Sequence, residues 1–184
     1  MAIGIPNISS HFRTVDITTG RMGVDWHRAM LRGTDLRRYT LFEADLSEAD
    51  LSESLLINGE LTRANLRSAD AQYADLSGAT LLSANMIGTR LNGATLVNAN
   101  MSKANLSRAD LTLADLSGAN LSKSLLMRAN LTGATLHNAN LAGADLSLAL
   151  LFGAKLEGCM YNITTRFSEG FNPAARGMVE VPYT

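Results

Sequence analysis

Asp and Ser recur two residues apart along most of this chain, as in ADLSE (44–48) and ADLSG (74–78 and 114–118). A carboxylate and a hydroxyl would supply two parts of a nucleophilic triad, with a histidine as the third. The three histidines, His11, His27 and His137, stand far apart in the sequence. A triad around His137 would need partners chosen at will. Nothing matches HExxH or a Cys/His zinc spacing, and no GxxxxGK[ST] or GxGxxG phosphate loop occurs. The regular carboxylates are not arranged as a loop of converging Ca²⁺ ligands. The one cysteine, Cys159, reads as a buried structural thiol. The sequence therefore predicts no enzyme, no cofactor and no metal.

Charge narrows the partners. The 184 residues carry 16 basic and 17 acidic side chains, for a net charge of −1. A non-specific nucleic-acid binder needs a basic excess to neutralise phosphates, so no nucleic-acid partner is expected. A strongly acidic mimic of DNA fits no better. No stretch of 18 apolar residues suggests a membrane span. The start, MAIGIPNISS, has neither a basic n-region nor an apolar run, so no secretory signal is expected and the protein is expected to be cytoplasmic. N-x-S/T triplets such as 105–107 and 130–132 are by-products of the repeat.

What positions these residues is a period of five. ANLSR, ADLTL, ADLSG and ANLSK follow one another over 104–123, and 26 consecutive fives run from Ala29 to Gly158. Leu, with Ala71, Met86 and Met101 as exceptions, fills every fifth position, and a small residue stands two before it. In extended chain alternate residues face one way, so Leu and the small residue point inward. The Asp or Asn between them and the Ser or Thr after Leu face water. The fifth residue, often Gly, Asn, Arg or Lys, suits a bend. Short sides that keep bending form a coil, and coils must stack to bury the Leu row and satisfy their backbone.

The motifs ADLSE, ADLSG, ANLSR and ANLTG resemble the repeats of the pentapeptide-repeat family over about 70% of the chain. The resemblance implies an all-β fold, a right-handed quadrilateral β-helix with four pentapeptides per coil. Residues 29–160 would then make about six and a half coils, a rod about 31 Å long at ~4.8 Å per layer. Stacked residues would lie 20 apart. On that register Tyr39 is expected over Gly59, Asn65, Asn85 and Asn105 form one row, and Asn100, Asn120 and Asn140 another. Asp50 and Asp70 would put two acids in adjacent layers. Ala71 reads as a tolerated gap in the Leu row.

Both ends of such a rod need covers. Residues 1–28 are read as an N-terminal capping segment, with Trp26 on the Leu phase as an apolar lid. Residues 161–184 drop the repeat and form a C-terminal tail, expected to pack on the last coils. Its stretch RFSEGFNPAARGM resembles tails of cyanobacterial members of the family.

Function then rests on surface. Lys103 and Lys123 share one row and Arg108 and Arg128 the next, a candidate edge for an acidic protein partner. Leu125, Met127, Leu148, Leu150 and Phe152 are apolar at outward positions near the C-terminal end. Either the tail folds over them, or they serve partner docking or a homodimer through this end, since the family includes C-terminal dimers. Residues 43–60 carry six acids and no base, so that end is expected to be acidic. The expected function is a non-catalytic protein-binding or scaffold module. The alternative, a DNA-mimicking topoisomerase binder as in some family members, is disfavoured by the near-neutral charge.

Overall fold

The computed structural model of the protein describes residues 23–37 and 39–183. Most of the expected N-terminal cap, residues 1–22, lies outside them. Within each repeat unit a β-turn begins at the inward Leu and ends at the small residue of the next unit. Its hydrogen bond runs from Ala49 N–H to the Leu46 carbonyl (3.1 Å), and from Ala109 to Leu106 (3.0 Å). The third turn residue has positive φ, from +53° at Glu43 to +73° at Gly143, while the second does not. That combination is a type II turn. It makes the fifth position of the repeat the corner.

The other backbone donors are satisfied in a fixed scheme. The inward Leu111 N–H donates to the Asn130 carbonyl of the following coil (2.8 Å), and corner Arg108 N–H to Met127 (2.9 Å). Asp110 N–H donates back to the Thr89 carbonyl of the preceding coil (3.0 Å). One N–H per unit remains, that of the Ser or Thr after Leu. The Asp or Asn side chain takes it: Ser117 N–H donates to Asp115 Oδ1 at 3.0 Å, and the Ser117 hydroxyl donates to the same oxygen at 2.6 Å. The Asp/Asn and Ser/Thr preferences of the repeat are thus one hydrogen-bonded unit, an Asx turn, beyond a preference for water.

Parallel bridges link residues 20 apart. They fall into four ladders: a first through Asp25, Asp45, Asn65, Asn85, Asn105, Leu125 and Asp145; a second through Met30, Asp50, Asp70, Arg90, Asp110, Asn130 and Leu150; a third from Asp35 to Lys155; and a fourth from Thr40 to Met160. Asn65 and Asn85 bond side chain to side chain (3.0 Å), as do Asn100 and Asn120 (3.3 Å). Asp70, stacked on Asp50, is offset by Arg90 at 3.2 Å in the next coil. Inside, the Leu and Ala rows form one continuous buried core, with Ala71 and Trp26 in it. Where Ser54, Thr89 or Ser124 replaces the small Ala, its hydroxyl donates to a backbone carbonyl of Leu51, Leu66 or Leu121 at 2.6–2.8 Å. No buried hydroxyl there is left unmade.

Aromatic residues stand in the first and last described layers. Trp26 meets Tyr39 edge to face, with centroids 5.6 Å apart. A Cβ on Gly59 would first meet the Leu56 carbonyl and the Leu61 side chain. Large side chains stand over glycines at the outward corners. There the Tyr73 ring would lie 2.6 Å from a Cβ on Gly93, and Leu113 2.8 Å from one on Gly133. Tyr39 sits in the inward row, partly buried against the core that includes Trp26. At the other end β1 (Met160–Tyr161) pairs in parallel with β2 (Val179–Glu180), and a 3-10 turn spans Ala174–Arg176. The tail gains a residue at Arg166, bridged to Asp145, and loses one at Val179, bridged to Met160. Tyr161, Phe167 and Phe171 form an aromatic run, with centroids 5.9 and 4.8 Å apart. They pack against the buried core, to which Met178 of the tail also belongs.

Candidate docking face

The turn scheme fixes where each surface side chain stands. Lys103 and Lys123 occupy the corner between the fourth and first ladders, and Arg108 and Arg128 the corner between the first and second. Both pairs are exposed and rim one face, that of the first ladder. Between the rims stand Asn105 and Ser107, and in the next coil Leu125 and Met127. The sequence grouping of four cations is therefore one face with two charged edges. Arg67 stands on the same face, in the outward row that continues through Ile87, Ser107 and Met127. The sequence reading did not single it out, although the 20-residue register puts it there.

Ion pairing separates this face from the rest. Arg28 reaches Glu48 at 2.7 Å, Arg32 reaches Glu53 at 2.7 Å, and Arg63 reaches Glu43 at 3.0 Å. Of the six acids over 43–60, Glu43, Glu48 and Glu53 are thus paired, because these glutamates without a base nearby in sequence find one in the adjoining coil. Arg37 pairs with Asp35, Arg90 with Asp70, and Arg166 with Asp145. Arg176 lies over the Phe171 ring and donates to the Ala154 carbonyl. Among the described residues, the cations with neither an ion pair nor a side-chain hydrogen bond are Arg67, Lys103, Arg108, Lys123, Arg128 and Lys155. All but Lys155 belong to the first face. From Arg63 to Arg128 that face carries no carboxylate in four successive coils.

Its centre breaks the local rule of the fold. At Leu125 and Met127 both members of the Asx and Ser/Thr unit are apolar, so the Met127 N–H has no acceptor among the described residues. Both side chains are exposed, at 42% and 41%. The same double exchange recurs in the next coil on the adjoining face, at Leu150 and Phe152, with Phe152 84% exposed. Leu148, on the corner above Arg128, joins the two. The five apolar residues form a band around one corner of the C-terminal coils. The tail leaves them open, since its aromatic side chains go into the end of the core instead. Leu113 and Tyr73 are also exposed, each placed over a corner glycine.

No catalytic constellation competes with this surface among the described residues, where no three of His, Cys, Asp and Glu converge to hold a metal ion. His27 meets Ser47 at 2.9 Å and His137 meets Glu157 at 3.3 Å, both at the surface. Cys159 fills a small inward position and donates to the Leu136 carbonyl; burial pushes its thiol up to about 11, the opposite of an activated nucleophile. No helix among the described residues is long and apolar enough to cross a membrane.

Comparison with known proteins gives one consistent family. The model for pentapeptide repeats matches in eight copies over residues 44–81, 60–96, 84–122 and 129–160, together more than half the chain. Among solved structures the chain is similar to HetL, a pentapeptide repeat protein involved in heterocyst differentiation regulation in the cyanobacterium Nostoc sp. strain PCC 7120. Identity is 33% over 86% of this chain and 79% of that one, with a TM-score of 0.55. It is also similar to the pentapeptide repeat protein Rfr23 from the cyanobacterium Cyanothece 51142, at 40% identity over 53% of this chain and 63% of that one (TM-score 0.35). A third, QnrB1, a plasmid-mediated fluoroquinolone resistance protein, is 22% identical over 85% and 86% of the two chains (TM-score 0.37). No curated protein matches the sequence.

Proposed function

Because the chain belongs to the pentapeptide-repeat family, whose fold is a right-handed β-helix, we propose that it is a non-catalytic protein-binding or scaffold module. In this reading residues 29–160 form a four-sided rod of about six and a half coils that holds outward side chains in fixed rows. The partner docks where Lys103, Arg108, Lys123 and Arg128 frame Leu125 and Met127, and Leu148, Leu150 and Phe152 extend that surface around the corner.

One observation carries the reading. Among the described residues, five of the six cations with neither an ion pair nor a side-chain hydrogen bond sit on a single face, carboxylate-free over four coils, whose centre has exchanged its polar pair for exposed apolar side chains. Proteins tend to break local structural rules at functional sites. The similarity to HetL, a protein involved in heterocyst differentiation regulation, is compatible with a regulatory role. A cytoplasmic site of action fits the same reading. A homodimer through the C-terminal end would use Leu148, Leu150 and Phe152. Mimicry of DNA for a topoisomerase draws no support, because the acids that such mimicry needs are offset by arginines of neighbouring coils.

The test is capture from native cell extract with light cross-linking, using the parent and a variant with Lys103, Arg108, Lys123 and Arg128 changed to Ser. Ser68 and Ser83 already hold the same corner positions at φ 57° and 56°, so the variant keeps the turn. A stoichiometric partner lost with the variant supports the face. The same partner retained at equal yield removes it.

A further inference from the structure

We propose that the first face binds an acidic segment of the protein partner, one that carries an apolar side chain between its carboxylates. This inference rests on the docking reading above and adds the chemistry of the occupant. The apolar side chain seats on Leu125 and Met127, and the carboxylates reach the cations on either rim.

The dimensions set the kind of occupant. The carboxylate-free band spans four coils, about 19 Å at ~4.8 Å per layer. Its two rims are five residues apart along the chain, at most about 17 Å. Such a patch is on the order of 300 Å², well below the ~800 Å² per partner of an ordinary interface between folded proteins. A short segment fits it better than a folded domain.

Charge sets the sign of the occupant. Cations fixed in pairs one layer apart repel one another, and among the described residues no carboxylate pairs with Lys103, Lys123, Arg108 or Arg128. Within the chain Glu43, Glu48, Glu53 and Asp70 are engaged by arginines, so these four acids are not free to meet the cations of a second copy. A nucleic acid would gain few phosphate contacts here and would lay charged backbone over Leu125 and Met127. A bilayer surface is flat, whereas the apolar band turns a corner onto the second face.

The experiment is selection from a displayed library of random 12-residue peptides on the purified parent, on the four-serine variant, and on Leu125→Asn/Met127→Ser. The last variant restores the repeat's own pair, as in Asn105 and Ser107 directly below, where Ser107 N–H donates to Asn105 Oδ1 at 3.1 Å. The expected result is enrichment of peptides with Asp or Glu flanking Leu, Phe, Ile or Met. Resynthesised peptides should bind either variant more weakly, by on the order of tenfold or more, and should lose binding when Asp and Glu become Asn and Gln. Three results would each overturn the proposal: enrichment with no acidic bias, equal binding to the four-serine variant, or tighter binding of a 20-base-pair duplex or phosphatidylserine vesicles than of the best peptide. If the extract partner is lost with the four-serine variant while the library shows no acidic bias, the docking face stands and the acidic-segment inference falls.

Discussion

Replacing Asp115 tests the physical reason given for the repeat. Asp115 Oδ1 accepts the Ser117 N–H and hydroxyl, at 3.0 and 2.6 Å, near the middle of the rod and away from the ends. Asp115→Ala removes both bonds and leaves a half-buried N–H with only water to meet it. Two such bonds, discounted for partial exposure, come to about 1–2 kcal/mol. For a chain of this length each kcal/mol moves the melting temperature by about 2–4 °C, so a fall of about 2–8 °C is expected. Asp115→Asn should fall by less than a third of that. Asn130 shows why, since its Oδ1 takes the Thr132 N–H at 3.1 Å and hydroxyl at 2.7 Å. Thermal unfolding followed by circular dichroism at neutral pH reads both. If Asp115→Asn falls as far as Asp115→Ala, charge and not the acceptor matters, and the Asx account fails. If neither moves, the outward row is decorative.

Further outcomes follow from the same structure. Leu111→Asp buries a carboxylate without a partner and should abolish cooperative unfolding, whereas Leu111→Ala should cost roughly 2–5 kcal/mol; a Leu111→Asp protein that melts like the parent would place Leu111 outside the core. Gly93→Ala forces φ +67° on a residue with a Cβ and drives it toward the Tyr73 ring. It should therefore cost more in the parent than in a Tyr73→Ala background, where only the backbone cost of about 1–2 kcal/mol remains; equal costs in a double-mutant cycle would deny the contact. Asp45 is subject to opposing effects: burial raises its pKa, but the hydrogen bonds from Ser47 and Asn65 prevail and hold it below the usual carboxylate value. A lowered folded pKa means stability present above the unfolded value near ~4 and lost as pH falls through the folded value. The parent should then lose more stability than Asp45→Asn between pH 5 and pH 2 in acid titrations of melting temperature.

The fold was legible because the repeat expresses its geometry in residue types. The Leu phase marked the interior, and the corner position was recognisable from its Gly, Asn, Lys and Arg. Stacking by 20 rested on resemblance and is the register of the bridges. Less visible was the reason for Asp and Asn, since outward exposure alone would permit Glu or Lys equally well. Only the hydrogen bond to the residue two further on selects a short side chain with an oxygen at that reach. The ion pairs of Glu43, Glu48 and Glu53 were hidden for a related cause. Glu48 and Arg28 are 20 residues apart in sequence but adjacent in the stack, so a linear window over 43–60 showed acids alone. The candidate face was half legible. The rows of Lys and Arg could be read, but not that these cations lack counter-ions while most others have them. Arg67 was passed over because it occupies a different position of the unit from the other four. The placement of the tail depended on where Phe167 and Phe171 turn, and they fill the end of the core and leave the outward Leu and Phe residues open.

The most direct measurement uses the chain's three lysines, Lys103, Lys123 and Lys155. All are exposed; two line the first face, and Lys155 lies on the third ladder, two sides away. Amine-reactive footprinting with mass spectrometry, comparing the purified protein with the same protein held in native extract, reads each lysine separately. The account predicts that Lys103 and Lys123 lose reactivity in extract while Lys155 keeps it. Protection of Lys155 with Lys103 and Lys123 unchanged would put the partner on another face and contradict the account.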